Sequence, residues 1–455
     1  MLAWPRIARA SYDPLDTWQH IASTPLNRRS VDTDCLVENI HKPLTLANVV
    51  DLALCNNPQT RILWAGARTQ AAQLGVSMSA YLPTLTGQAA ASRNRTSVAD
   101  TTTSANQKNI SVSASYLLYD FGGRAASVEN AQQLLLAANA VREETLQNTY
   151  LSAVQAYFAL LSARAGEQAY RIAEVAAEKS RNAAQARSQA GTATLADRLQ
   201  AQTAFSQAKL NRIRAAGDAA SAQGTLANIM GFDATQPFEL ALPVPEAAAV
   251  AEQDPVIEQN IGKLIADARQ NRPELLAAEA QIKAAEAQLA SVRATGLPSI
   301  SLNGALAQSK ASDSPNTAHS QSIGISLSVP LFSGFKNTYQ TRAAQAQLEG
   351  KVADRDRVAN QIALEVWKAY QALLTNSQAL RAADDLLASA DQSEKAISGR
   401  YEAGIGNILD VLTAQSALAS ARQQQVGALY TFKVSKFVLA QSIGQLDLAL
   451  VEINN

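Results

Sequence analysis

Apolar and small polar residues alternate strictly in a few short stretches of this 455-residue chain, and helical spacing dominates nearly everywhere else. Ile323, Ile325, Leu327, Val329 and Leu331 interleave with Gly324, Ser326, Ser328 and Pro330. Ile300, Leu302 and Leu306 do the same with Ser301, Asn303 and Ala305, and Ile110, Val112, Ala114 and Tyr116 with Ser111, Ser113 and Ser115. Period two over roughly ten residues predicts strands with one apolar and one small polar face. Polar stretches, "SRNRTSVADTTTSANQK" and "SKASDSPNTAHS", separate the paired strands and read as loops.

The alternation occurs twice because the chain is duplicated. "CNNPQTRILWAGARTQAAQLGVSMSAYLPTLTG" and "RQNRPELLAAEAQIKAAEAQLASVRATGLPSISLNG" align on Asn-x-Pro, a helical stretch and Leu-Pro, with Pro58 and Pro273 standing 215 residues apart (273 − 58). "YDFGGR" aligns with "LFSGFK", and Gly191 with Gly404 at nearly the same offset (404 − 191 = 213). Each half opens with a helix led by Pro58 or Pro273, a residue suited to the first helical turn. Leu82-Pro83 or Leu297-Pro298 then ends that helix and starts an extended segment.

Beyond the strands, no proline occurs from Arg124 to Ala190 or from Lys336 to Ala403. At 1.5 Å per residue, such a helix spans on the order of 100 Å. After each glycine break the helical pattern resumes for roughly another ten turns. The boundaries this implies are an N-terminal segment at 1–47, a first repeat at 48–231, an irregular Pro-bearing connector at 232–261, a second repeat at 262–446 and a tail at 447–455.

Composition agrees with long, closely packed helices. Charged residues make up 17% of the chain and aromatics 5%, and Ala, Gln, Ser and Leu dominate. A GC-rich genome would also enrich alanine. With 39 basic and 39 acidic residues the net charge is zero, which argues against a bulk nucleic-acid binder. No run of some 18 apolar residues exists to form a transmembrane helix. Arg6 and Arg9 interrupt the place where the apolar core of a secretory leader would continue. Read as the true start, that favours a cytosolic protein; if a leader has been removed, it carries no information. Cys35 and Cys55 either close a short disulfide loop in an oxidising compartment or stand as unrelated buried thiols. His20, His41 and His319 are the only histidines, and no metalloprotease, serine-triad or Cys-His grouping is present. "GIGNIL" only echoes a phosphate loop. No catalytic residue, cofactor or metal is therefore expected.

Four strands are too few for a closed barrel, and an open sheet with an apolar face would leave aggregating edges. Their length and apolar face fit a membrane β-barrel, where closure is obligatory because lipid satisfies no backbone groups. Several copies of the chain must then share one barrel. Tyr119, Phe121, Phe332 and Phe335 cluster where strands end, either as an interfacial aromatic belt or as ordinary packing residues. The Ala-rich stripes suit helices that continue such a barrel as a tube. A soluble periplasmic coiled-coil scaffold shares the long helices but needs no lipid-compatible strands; extraction without detergent would favour it.

The ordered recurrence of Leu-Pro strand openings, "DFGGR", "PLFSGF" and "RYEAGIGNILDVLTAQSAL" over about Leu44 to Leu446 resembles the TolC family of outer-membrane channel proteins. The resemblance implies a mainly α fold with a membrane β-barrel: a homotrimer whose chains give four strands each to a 12-stranded barrel, continuing into a periplasmic α-helical tunnel. It also implies the outer-membrane exit duct of a tripartite export machine, partnered by a periplasmic adaptor and an inner-membrane ABC exporter or proton-driven pump. At the tunnel tip, Tyr401 matches a gate tyrosine, Asp410 the first of two aperture aspartates, and Asp197 an acidic residue in neighbouring links. Gly406 and Thr413 stand where the family has an arginine and a second aspartate, so its latch is incomplete here. Asp410 is expected to form a cation-selective constriction or to be a solvated surface residue. Gly191, Thr192, Ala193, Gly404, Ile405 and Gly406 are expected as adaptor contacts, as plain turns, or as both. "CNNPQTR" with an upstream cysteine resembles secretion-linked members, which inclines the reading to type I protein secretion over drug efflux.

Overall fold

A computed structural model describes residues 13–21, 43–99, 101–241, 260–312 and 316–446. After a short 3-10 turn at Thr17–His20 come α1 (Leu46–Asn56), α2 (Pro58–Ser79), β1 (Thr84–Val98), β2 (Thr101–Tyr119), α3 (Gly123–Gln189) and α4 (Leu195–Ile229). The second repeat gives α5 (Ile261–Asn271), α6 (Pro273–Ala294), β3 (Ser299–Ala311), β4 (Thr317–Ser328), α7 (Lys336–Glu402) and α8 (Ile408–Ser442). Corresponding helices have equal lengths: 11, 22, 67 and 35 residues in each repeat. Among the described residues, no helix is long and apolar enough to cross a membrane.

The helix boundaries have local causes. Thr45 and Thr194 form capping boxes with Asn48 and Asp197, and the Asn260 and Asn407 side chains accept from backbone amides of α5 and α8. At the other ends, left-handed glycines Gly191, Gly231, Gly404 and Gly444 close the long helices. Each is followed by an amide that reaches back five residues, as in Thr192 N to the Arg187 carbonyl at 2.9 Å and Gln445 N to Ala440 at 2.9 Å.

The described residues fall into two compact units, and each draws on both repeats. One unit comprises 1–22, 65–141 and 276–357 and holds the strands. They form a single antiparallel sheet in the order β1-β2-β3-β4. The strands are longer than alternation alone suggests, at 15, 19, 13 and 12 residues. The stretches read as polar loops are mostly strand: the β1–β2 ladder continues to Val98 opposite Thr101, and β3 pairs up to Lys310 opposite Thr317. Ser, Thr and Asn read as loop by composition, yet the antiparallel partner satisfies their backbone as well as that of any other residue. The opposite error occurs at the far end of β4, which stops at Ser328; Val329 to Leu331 lie beyond it, where Pro330 cannot donate to a ladder. Beside the sheet, Ala71, Leu74, Ala131 and Leu135 are buried, with Trp18, Ile21, Met78 and Val128 packed on them.

The register sorts the sheet's two faces. Leu85, Ile110, Val112, Leu302, Leu306, Ile323, Ile325 and Leu327 share one face, because Leu85 lies opposite Ala114, Ala114 opposite Gly304 and Gly304 opposite Ile323. Ser, Thr, Asn, Gln, Ala and Gly make up nearly all of the other face, with Leu117 of β2, opposite Ser301, a large exception. The apolar face is the more exposed: Ile110 is 63% and Ile323 83% exposed, whereas Ser309, Ser301 and Ala307 are half-buried.

The second unit comprises 23–64, 142–275 and 358–455. Among its described residues are two large apolar clusters, one built mainly from the first repeat and one from the second. Val49, Val50 and Ala53 of α1 pack with Tyr150, Val154, Phe158 and Leu160 of α3 and with Leu226 and Met230 at the end of α4. Leu264 and Ala268 of α5 pack with Ile362, Val366 and Leu373 of α7 and with Phe432 and Leu439 of α8. Ahead of α1, Leu44 pairs in parallel with Leu240, tying the start of the inter-repeat connector to the first repeat. Cys55, in α1, carries a disulfide, and Cys35, the other member of the expected pair, lies outside the described residues.

Candidate functional site

The two helix reversals, α3 to α4 and α7 to α8, come together within the second unit. Ala184 of α3, Ala201 of α4 and Ile408 and Val411 of α8 form a small buried cluster, with Ile397 and Tyr401 of α7 packed against it. Alanines at these positions let the helices approach closely while the larger residues of the second repeat fill the space between them.

Gly191 and Gly404 adopt φ of +76° and +80°, which a residue with a Cβ enters only at a cost. Thr192 caps the first reversal with both its amide and its hydroxyl on the Arg187 carbonyl, at 2.9 and 3.1 Å. Ile405, 73% exposed, stands at the crest of the second. Ala193 is half-buried beside its own turn. Gly406 has a different reason to be glycine: a Cβ there would lie 2.9 Å from the Tyr401 amide nitrogen and 3.0 Å from its Cα. A residue with a side chain, arginine included, cannot stand at 406 without moving the turn.

Tyr401 is nevertheless held. The Arg187 guanidinium donates to the Tyr401 carbonyl at 3.0 Å and lies over the Tyr401 ring, 4.1 Å from its centroid. One cation therefore binds the last turn of α3 to the last turn of α7, joining the two repeats of one chain. Sequence reading missed Arg187. A signal existed: Arg187 and Arg400 each stand four residues before the left-handed glycine of their repeat.

Asp197 is engaged locally. Its carboxylate accepts from the Thr194 amide at 2.9 Å and the Thr194 hydroxyl at 2.8 Å, and these bonds hold its pKa below the usual carboxylate value. Asp410 and Thr413 are exposed and lie on the side of α8 away from buried Ile408 and Val411. The Thr413 hydroxyl donates to the Leu409 carbonyl at 2.8 Å.

At the sheet, the four aromatics form two repeat-related pairs. Tyr119 and Phe121 meet edge to face with centroids 4.8 Å apart, and Phe332 and Phe335 do so at 5.5 Å. All four are close to half-exposed or more. Phe121 and Phe335 have φ of 51° and 62°, a backbone region that bulky residues rarely enter, so both repeats hold a strained turn between strand and long helix. In the first repeat Arg124 braces that turn by donating to the Leu117 carbonyl at 2.7 Å and the Leu118 carbonyl at 3.2 Å. Among the described residues, no group of three or more His, Cys, Asp or Glu side chains is placed to hold a metal ion.

A family model described as "Outer membrane efflux protein" matches residues 49–232 and 264–445. Protein CyaE of Bordetella pertussis is 30% identical over 413 residues, covering 90% of this chain and 86% of its own. The alkaline protease secretion protein AprF of Pseudomonas aeruginosa is 26% identical over 433 residues, covering 90% and 86%. Among solved structures, the CmeC outer membrane channel of Campylobacter jejuni aligns with a TM-score of 0.77 at 19% identity, covering 88% of this chain and 86% of that one, a likeness of fold.

Proposed function

The chain belongs to the outer membrane efflux protein family, and from that premise we propose that it is the exit duct of a tripartite export machine, closed at its periplasmic tip around Asp410. The observation that carries this reading is the open four-stranded sheet. Among the described residues its outer strands β1 and β4 have no further strand partner, and its apolar face is exposed. Sealing such a sheet in lipid requires other copies. Three copies would supply twelve strands, a count at which a barrel leaves an aqueous lumen between the filled eight-stranded and the wide sixteen-stranded forms. A water-soluble periplasmic scaffold would have no use for that face.

In this reading the long helices of the three copies continue the barrel as a tunnel through the periplasm. The crests of the helix reversals, Gly191 to Ala193 and Gly404 to Gly406, meet a periplasmic adaptor, which together with an inner-membrane ABC exporter or proton-driven pump opens the tip. The Arg187–Tyr401 clamp keeps the two reversals of each copy together in the closed state. A Cys35–Cys55 bridge would fasten the N-terminal segment. The likeness to a secretion protein over 90% of the chain inclines the cargo towards exported protein.

Single-channel recording in planar bilayers tests the gate. Replacing Arg187 by Ala should raise the closed-state conductance several-fold, because the tyrosine-bearing turn is then free to move outward. Replacing Asp410 by Ala should abolish cation preference and block by divalent ions, since three converging carboxylates are what would create both. Unchanged selectivity in the Asp410 variant would remove that residue from the aperture.

A further inference from the structure

Beyond its apolar band the same sheet face turns cationic. Lys108 lies opposite Ala91 on β1 and opposite Lys310 on β3. Arg93 and Arg95 follow Ala91 on the same side of β1, opposite Asn106 and Ser104. Side chains of residues paired across an antiparallel ladder share a face, so Arg93, Arg95, Lys108 and Lys310 all project from the face that carries Ile110, Leu306 and Ile323. All four are exposed. His319, opposite Gln308, lies on this face as well. The four strands contain no Asp or Glu, and the two hairpin aspartates, Asp100 and Asp313, lie outside the described residues.

Two features mark this cluster as more than ordinary surface charge. Lys108 and Lys310 are directly opposed, a pairing of like charges that costs stability without a counter-ion. The cations also begin where the apolar rows end. At about 3.3 Å per residue and a tilt of about 40°, Lys108 stands about 5 Å above Ile110 along a membrane normal, Arg93 about 10 Å and Arg95 about 15 Å. A headgroup layer is roughly 5–8 Å deep beyond the hydrocarbon, so Lys108 and Lys310 stand within it, and Arg93 and Arg95, further out, reach back towards it with their long side chains. Long basic side chains there lay their stems on apolar surface and place their charges among headgroups.

We propose that Arg93, Arg95, Lys108 and Lys310 form a binding site on the outer face of the sheet for the phosphate groups of anionic lipid in the adjoining leaflet. The site rests on the barrel reading above, because only a membrane-embedded sheet brings a headgroup to that height. Charge complementarity and continuity with the apolar band select a lipid over a soluble anion.

The test uses the full chain reconstituted into phosphatidylcholine vesicles doped with lipopolysaccharide or with dephosphorylated lipopolysaccharide. Insertion is first scored by conductance, and co-purifying glycolipid is then counted by native mass spectrometry. The wild type should retain the phosphorylated lipid preferentially, and less so as salt rises. A fourfold variant, Arg93→Ser, Arg95→Ser, Lys108→Ser and Lys310→Ser, should retain at least about tenfold less of it, because each basic residue near an anionic surface adds to the binding. Its retention of the dephosphorylated lipid should not change. An Arg93→Lys, Arg95→Lys variant should behave as wild type, which separates lost charge from lost fold. Equal retention by the fourfold variant, no wild-type preference for phosphate, or full displacement by inorganic phosphate would each overturn the site. Insertion without preference defeats this site alone, whereas failure to insert into any vesicle defeats the barrel reading and the site with it.

Discussion

Replacing Gly231 by Ala lowers the stability of the folded chain by about 3 kcal/mol, read as the helical signal at 222 nm during thermal unfolding in detergent. Two costs combine. Gly231 has φ of +80°, a region that costs an L-residue roughly 1–2 kcal/mol. A Cβ there would also lie 2.7 Å from the carbonyl oxygen of Asn56 and 2.8 Å from its carbonyl carbon, and overpacking of this kind costs about 1–3 kcal/mol. The obstructing atoms are backbone at the end of α1, so no side chain can swing away. Gly444 makes the same approach to Asn271 in the second repeat, with its nearest atoms at 3.0 Å. Gly444→Ala is therefore destabilising by a smaller amount. A Gly231→Ala protein that melts with the wild type would show that α1 shifts freely at this join.

Replacing Arg272 by Ala costs about 3–5 kcal/mol, the range for removing one partner of a buried ion pair. The Arg272 side chain is 5% exposed; it bonds both oxygens of Glu274, reaches Glu365 at 2.9 Å and donates to the Ser442 carbonyl at 3.3 Å. Burial alone would lower its pKa, but the hydrogen bond and charge of Glu274, followed by those of Glu365, more than reverse this and raise it. Glu144 sits nearby with its pKa raised, first by burial and then by the charge of Glu274, against the opposing pull of Arg272. A raised carboxyl favours the fold while protonated, so its contribution is complete below its ordinary value of 4.5 and fades as pH climbs through the folded value. Without Arg272 that folded value climbs further. The deficit of the Arg272→Ala variant should consequently be smallest in acid and widen towards neutral pH. Melting curves of both proteins across that interval check the sign, and a deficit independent of pH would show that packing, and not charge, holds this node.

The helices were legible because proline and glycine punctuate them. Pro58 and Pro273 mark starts and Gly191 and Gly404 mark ends, and the absence of proline between Arg124 and Ala190 matches α3 almost residue for residue. Helix length is a local property, written in local chemistry. Strand length was less legible, since nothing in "SRNRTSV" distinguishes a loop from a ladder until its partner is known. The contacts that organise the candidate site were hidden for the same reason. Arg187 and Tyr401 are 214 residues apart, and their meeting follows from how four helices pack. The repeat itself could have exposed Arg187, as it could have paired Gly231 with Gly444, had every residue before and at a helix-ending glycine been compared between the halves.

The sheet's second face carries no ionisable side chain and almost no bulk: in β4 it is Ala318, Ser320, Ser322, Gly324, Ser326 and Ser328. As the inside of the proposed barrel, such a surface is slippery. A passing polypeptide or drug finds neither a counter-charge to pause at nor a greasy foothold, so transit there is governed by diameter alone and discrimination among cargoes falls to components upstream of this sleeve.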